Sequence, residues 1–162
     1  MIHVRPYVSD DRAFVLGLAP RLLIGMPLWR DPHLWLTAFQ DWIKVSIDQH
    51  GQKTMVFVAE NDQGERLGFA TLSQETHFTG EQQAYINELA TSESAEGHGV
   101  GTALIQACEK WAREQGYRIL ALSTGAGNQR ALGFYHHLGF RDEDVKLIKL
   151  LTESDSDVRN QA

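Results

Sequence analysis

Between a predicted strand and a predicted amphipathic helix stands the run Glu96-Gly97-His98-Gly99-Val100-Gly101-Thr102. Glycines at such a junction let the backbone come close to a ligand and turn several N–H groups toward one point. The first helical turn leaves its N–H groups without intrahelical partners, and the helix dipole adds partial positive charge there. The chemistry on offer is recognition of an anion, phosphate above all. The same glycines also serve simply to turn the chain. Two known phosphate loops do not match. A P-loop needs Gly-Lys-Ser/Thr, and here Gly101 is followed directly by Thr102. A dinucleotide fingerprint carries an acid at the end of the next strand, where this chain has Ser123-Thr124.

Other chemistry-bearing residues read more plainly. His136 and His137 are adjacent on a predicted helix, so they point apart and cannot form an i, i+4 metal pair. Cys108 falls on an apolar helical stripe and reads as a small core residue. As the single cysteine it excludes an internal disulfide and a Cys-rich zinc site, and no metal is expected. Trp29, Trp35 and Trp42 surround the first long loop and the second helix, either as core or as a ligand wall.

These groups need elements to hold them. Residues 2–8 read as a strand, followed by a helix with Ser9, Asp10 and Asp11 as N-cap oxygens and Pro20 as its kink. After a loop over 25–32, Trp35, Phe39, Trp42 and Ile43 recur at helical spacing. The period then changes. Strands are predicted at 54–60 and 66–74, joined by the turn Asn61-Asp62-Gln63-Gly64, and a third at 84–91. The third helix carries Val100, Ala103, Leu104, Ala107, Cys108, Trp111 and Ala112 on one face and stops at Gly116. A strand at 118–123, a helix at 128–138 closed by Gly139, and a last strand at 145–151 complete the order β-α-α-β-β-β-α-β-α-β. The fold class is α/β in the α+β sense: a mixed, mostly antiparallel central sheet of six to seven strands flanked by helices.

The length of 162 residues predicts one domain over 1–151, with a polar tail at 152–162. Such a chain buries enough surface to need no staple. No segment has the form of an export signal or reaches membrane-spanning length, so the expectation is a cytoplasmic protein without a membrane partner. The 15 Lys and Arg against 21 Asp and Glu leave a net charge of −6, which argues against a nucleic-acid partner. A small anionic ligand is not excluded by that balance.

Taken together, Glu88-Leu89-Ala90-Thr91, then Gly97-His98-Gly99-Val100-Gly101, then Asn128, Ala131, Phe134-Tyr135 and Gly139-Phe140 resemble the GNAT superfamily of acyl-CoA-dependent N-acetyltransferases. The family pattern is a strand ending Glu-Leu-Ala-Val, a Gln/Arg-x-x-Gly-x-Gly/Ala loop, then Asn-x-x-Ala and Phe-Tyr-x-x-x-Gly-Phe. The match covers about residues 84–140, and the upstream element order agrees with the family's GNAT-like fold. The resemblance implies acetyl-CoA as co-substrate. Gly97, His98, Gly99, Val100, Gly101 and Thr102 would hold its pyrophosphate, Leu89, Ala90 and Thr91 would pair with its pantetheine arm, and Asn128 would bond that arm from the other side. Glu96 departs from the pattern, for a carboxylate faces the pyrophosphate or turns to solvent.

The implied reaction needs a base for the incoming ammonium, an acid for the departing thiolate and N–H groups for the oxyanion. By the resemblance Tyr135 is the acid, its alternative being a core aromatic. Glu88 is the base, its pKa raised on a central strand, with ordered water as the alternative. The implied activity is acetyl transfer to the primary amine of a small molecule by direct attack in a ternary complex. Acetylation of a protein N-terminus or Lys, and a non-catalytic coenzyme A-binding module, stand beside it. A homodimer is an expectation of the resemblance alone.

Overall fold

A computed structural model describes residues 1–152 of the chain. Of the tail expected at 152–162, residues 153–162 lie outside the described residues. Strands β1 (Ile2–Pro6), β2 (Thr54–Asn61), β3 (Arg66–Thr76), β4 (Gln82–Thr91) and β5 (Leu120–Leu122) form a single sheet in chain order. The first three pairings are antiparallel and β4 with β5 is parallel. A parallel neighbour needs a crossover, and α3 (Val100–Glu114) supplies it. The helices α1 (Arg12–Gly17), α2 (Pro32–Asp48) and α4 (Gln129–His137) complete the fold.

Strand side chains alternate between two buried faces. On one face Ala59, Ala70, Leu72 and Ile86 meet Val100, Leu104, Ile105 and Cys108 of α3, with Phe134, Tyr135 and Leu138 packed alongside. On the other, Val58, Phe69 and Ala90 meet Val15, Ile43 and Ile47 of α1 and α2. Helices therefore cover both sides, as expected of a mixed sheet. Cys108 is fully buried on the stripe where its spacing put it. No helix among the described residues is long and apolar enough to cross a membrane.

Three expectations are corrected. Among the described residues the sheet has five strands, not six to seven. The segment expected as a last strand at 145–151 carries none, and Val145 and Leu147 are 79% and 87% exposed. Its apolar residues have strand character, but a strand exists only where an edge pairs with it, and β5 is three residues long. The long first helix is in fact the six-residue α1 between two 3-10 turns, Ser9–Asp11 and Ala19–Leu23, with Pro20 opening the second.

Asp11 stands at the N-cap of α1, but its side chain makes no hydrogen bond to that helix. Its carboxylate is fully buried and takes Arg5 through both oxygens at 2.7 and 3.0 Å, Arg66 at 2.6 Å and the Val8 N–H at 2.9 Å. Burial alone would raise its pKa, but the hydrogen bonds from Arg5, Val8 and Arg66 overcome that and hold it well below the usual carboxylate range. This hub ties the first turn to β1 and β3. Replacing Asp11 with Asn leaves two guanidinium groups without their shared carboxylate and should cost about 3 kcal/mol in urea unfolding at neutral pH. The difference should be full above about pH 3.8, the ordinary value, and shrink as pH falls below it. A loss that does not vary with pH would show that packing, not charge, sets the contribution.

Candidate functional site

The site begins with an irregularity in β4. Thr71 pairs with Glu88 and Leu72 with Ile86, so Asn87 is an extra residue and β4 carries a β-bulge there. Bulges bend a strand and re-aim its side chains. On its other side β4 pairs with β5 only through Ala84, Tyr85 and Ile86. Past the bulge the two strands part, and the edge of β4 over 87–91 faces no strand among the described residues. A cleft of about 1060 Å³ opens in that gap. Its walls are β4, the loop before α3, the chain following β5, and α4, with α2 and the Ala19–Leu23 turn across from them.

The glycine loop forms the end of the cleft. Gly97 and Gly99 have φ of +77° and +85°, a left-handed geometry that side chains oppose. Gly99 is the N-cap of α3, and no side chain caps the helix. Gly97, Gly99, Val100, Gly101 and Thr102 all line the cleft. His98 stands apart from that lining, and its N–H donates to the Ala95 carbonyl at 3.3 Å. Gly101 has a second reason to be small: a Cβ there would sit 3.1 Å from the Phe134 ring, so its glycine lets α4 pack on α3.

Glu88 is buried on the strand beyond the bulge. The Thr71 hydroxyl donates to its carboxyl and accepts from its N–H at 3.1 Å. Burial pushes the carboxyl up to about 7, against the opposing hydrogen bonds of Thr71 and of Ser46 on α2. A carboxyl with that value exchanges a proton near neutrality. Tyr135 lines the same cleft from α4, with its ring edge-on to Phe140 at 5.6 Å. Burial, with Cys108 adding to it, pushes the phenol up to about 12, which keeps it protonated. The two groups thus differ in protonation: the carboxyl exchanges its proton near neutrality, and the phenol keeps its own.

Leu89, Ala90, Thr91 and Asn128 also line the cleft. Asn128 is held at both ends: its Oδ1 accepts from the Ala131 N–H at 3.2 Å as the N-cap of α4, and one N–H of its amide donates to the Ile24 carbonyl at 3.3 Å. Gly25 makes that approach feasible, since a Cβ on it would fall 2.5 Å from Asn128 Cβ. Of the three tryptophans, Trp35 and Trp42 line the cleft and Trp29 does not. Trp35 Nε1 is buried and has no hydrogen-bond partner among the described residues. Phe39 joins them at one helical turn, edge-on to Trp42 at 5.7 Å.

Two cleft residues have no motif to announce them. Arg21 donates to Glu96 Oε2 at 3.1 Å and to the Thr91 carbonyl at 3.3 Å, and Arg130 donates to Glu96 Oε1. Glu96 therefore turns neither to solvent nor freely toward a ligand. A basic residue of opposite sign far along the chain was the only sequence signal for this pairing.

Comparison with known proteins bears on this geometry. The Acetyltransferase (GNAT) family matches residues 18–140. An L-methionine sulfoximine/L-methionine sulfone acetyltransferase of Pseudomonas aeruginosa is 26% identical over 113 residues, covering 70% of this chain and 64% of the relative. The chain spans less than two thirds of the first curated relatives it matches, 27% of one and 64% of another. Among solved structures, one from Pyrococcus furiosus named for an acetyl transferase superposes with a TM-score of 0.74 at 20% identity, over 93% of this chain and 100% of that one. The aminoglycoside N-acetyltransferase AAC(6')-Iy in complex with CoA superposes with a TM-score of 0.67 at 21% identity, over 93% and 95% of the two chains. At those identities the likeness is one of fold.

The Glu88 environment has a stability signature. Its folded value of about 7 exceeds the ordinary 4.5, so between those two pH values the native state holds more protons than the unfolded state. The contribution of this carboxyl is present below 4.5 and is lost as pH rises through 7. Thermal melts of wild type and Glu88→Gln across that window should diverge, with wild type losing ground to the variant as pH rises. Parallel curves would mean that Glu88 titrates as an ordinary carboxylate.

Proposed function

The chain belongs to the GNAT acetyltransferase family, and from that premise we propose that it transfers the acetyl group of acetyl-CoA to the primary amine of a small molecule by direct attack in a ternary complex. The observation that carries this reading is one cleft holding a glycine-loop helix terminus, an unpaired strand edge, a carboxyl near neutrality and a protonated phenol. Acetyl-CoA, when bound, supplies a thioester-activated acetyl group.

The residues present fit that co-substrate. The left-handed glycines at 97 and 99 and the uncapped start of α3 offer N–H groups to a diphosphate. The open edge of β4 at Leu89, Ala90 and Thr91 offers strand-type hydrogen bonds to the amides of a pantetheine arm. Asn128 reaches that arm by giving up its bond to Ile24 while its Oδ1 continues to cap α4.

The protein then handles protons. An alkyl ammonium has a pKa near ~10.4, so a base must take its proton before the nitrogen can attack. The Glu88 carboxylate accepts that proton, directly or through water; its displaced pKa of about 7 narrows the gap to the ammonium and still leaves a share of the carboxyl ionised at neutrality. The Tyr135 hydroxyl, which burial keeps protonated, gives its proton to the departing thiolate, and the second proton that the nitrogen sheds as the amide forms returns to the tyrosinate through water. Backbone N–H groups at the β4 edge stabilise charge that develops on the carbonyl oxygen.

The rest of the lining describes the acceptor. Trp35, Phe39 and Trp42 from α2 and Tyr85 from β4 present apolar and aromatic surface. The carboxylates lining the cleft among the described residues are Glu88 and Glu96, and Glu96 is taken by two arginines. That composition suits one amine on an apolar or aromatic body better than a polycation, which would call for several free carboxylates.

Thiol release from acetyl-CoA across a panel of aromatic amines, aliphatic amines, polyamines and peptides tests the reading. Turnover should favour mono-amines with apolar bodies. Tyr135→Phe should lower kcat about 100-fold while CoA affinity stays within about twofold. In Glu88→Gln the rise of kcat/KM with pH through 7 should vanish. Preferred turnover of peptides would replace the small-molecule reading, and CoA binding without any thiol release would replace catalysis by a binding module.

A further inference from the structure

Glu96 sets an electrostatic contradiction. It stands at the start of a loop whose N–H groups and helix terminus favour an anion, and its own carboxylate opposes one. The surrounding residues resolve this. Arg21 comes from the turn Ala19–Leu23, Arg130 from the first turn of α4, and both bond the Glu96 carboxylate, one on each oxygen. All three side chains line the cleft. Two guanidinium groups against one carboxylate leave an excess of one positive charge at the mouth of the glycine loop.

The two arginines are held differently. Arg21 is 24% exposed and has a second acceptor in the Thr91 carbonyl at 3.3 Å. Arg130 is 70% exposed, and its side-chain hydrogen bond among the described residues is the one to Glu96. An exposed ion pair is weak and exchanges readily, whereas a half-buried guanidinium with two acceptors stays in place. Guanidinium forks bind phosphate oxygens in pairs, with a geometry that a carboxylate mimics. Glu96 thus occupies the arginines in the way a phosphate would.

We propose that Arg21 and Arg130 are the guanidinium pair that binds the diphosphate of acyl-CoA, with Glu96 as the positioning residue that holds them at the glycine loop until the anion takes Arg130 over. This rests on the acetyl-CoA reading above and adds the residues that reconcile Glu96 with it. Glu96 keeps the arginines from repelling each other in the free protein and leaves Arg21 anchored in the bound one. The loop N–H groups and the Arg pair then act on the same ligand from two sides.

The test is calorimetric titration of CoA into the full chain at several salt concentrations, for wild type and the variants Arg130→Gln, Arg21→Gln and Glu96→Gln. Arg130→Gln and Arg21→Gln should each weaken CoA binding about tenfold at low salt and make the dependence on salt shallower by about one ionic contact. Glu96→Gln should make it steeper, because two uncompensated guanidinium groups then meet the diphosphate. The salt slope is a readout that a loss of packing would not move. Arginine variants with wild-type affinity and slope would overturn the guanidinium pair, and an unchanged slope in Glu96→Gln would overturn the positioning role. A wild-type chain that does not bind CoA at all would instead remove the acetyl-CoA reading beneath both.

Discussion

Everything at the site depends on β4 losing its partner. The parallel pairing with β5 ends at Ile86 and Leu122, and the bulge at Asn87 turns the strand away. Backbone polar groups left on such an edge must find other partners or remain available to a ligand. One of them, the Thr91 carbonyl, is satisfied by Arg21. The rest of the gap is wide enough to form a cleft rather than a seam. Because β3 and β4 remain paired behind it, the buried Thr71 and Glu88 stay fixed while the edge beside them opens.

The helices set the limits of that opening. α3 begins at the gap because its N-terminus follows directly from the end of β4 through one short 3-10 turn, Glu93–Ala95. α4 closes on α3 through Phe134 over Gly101, and this brings Tyr135 to the cleft. The Gly25 region closes from the other side against Asn128, tied by the Ile24 carbonyl. A single strand irregularity thus gathers residues from six separate segments around one volume.

Charge behaves differently at long and short range here. The chain as a whole carries −6, a field that attracts cations such as a protonated amine. At the glycine loop the balance is reversed by Arg21 and Arg130 around Glu96. Backbone N–H groups and a helix terminus, which formal charge does not count, act in the same direction. An acidic protein can therefore present a loop of locally positive character.

Much of this was legible in the residues alone. The glycine loop, the amphipathic α3 with Cys108 inside, the hairpin strands and the GNAT resemblance all rest on local periodicity and turn chemistry, which short-range sterics and burial dictate. Local pattern was silent or misleading wherever a distant partner decided the outcome. Asp11 looked like a cap and became an ion-pair hub, because Arg5 and Arg66 reach it from strands. Residues 145–151 had strand character and no strand to join. Gly101 suggested ligand approach, and the Phe134 ring above it adds a packing requirement. Glu96 drew attention as an unfavourable charge, and only the fold brought arginines from positions 21 and 130 to it. The sequence by itself determined most of the elements and the family. The tertiary structure decided which charges meet, because a Coulomb interaction depends on distance in space and carries no trace of separation along the chain.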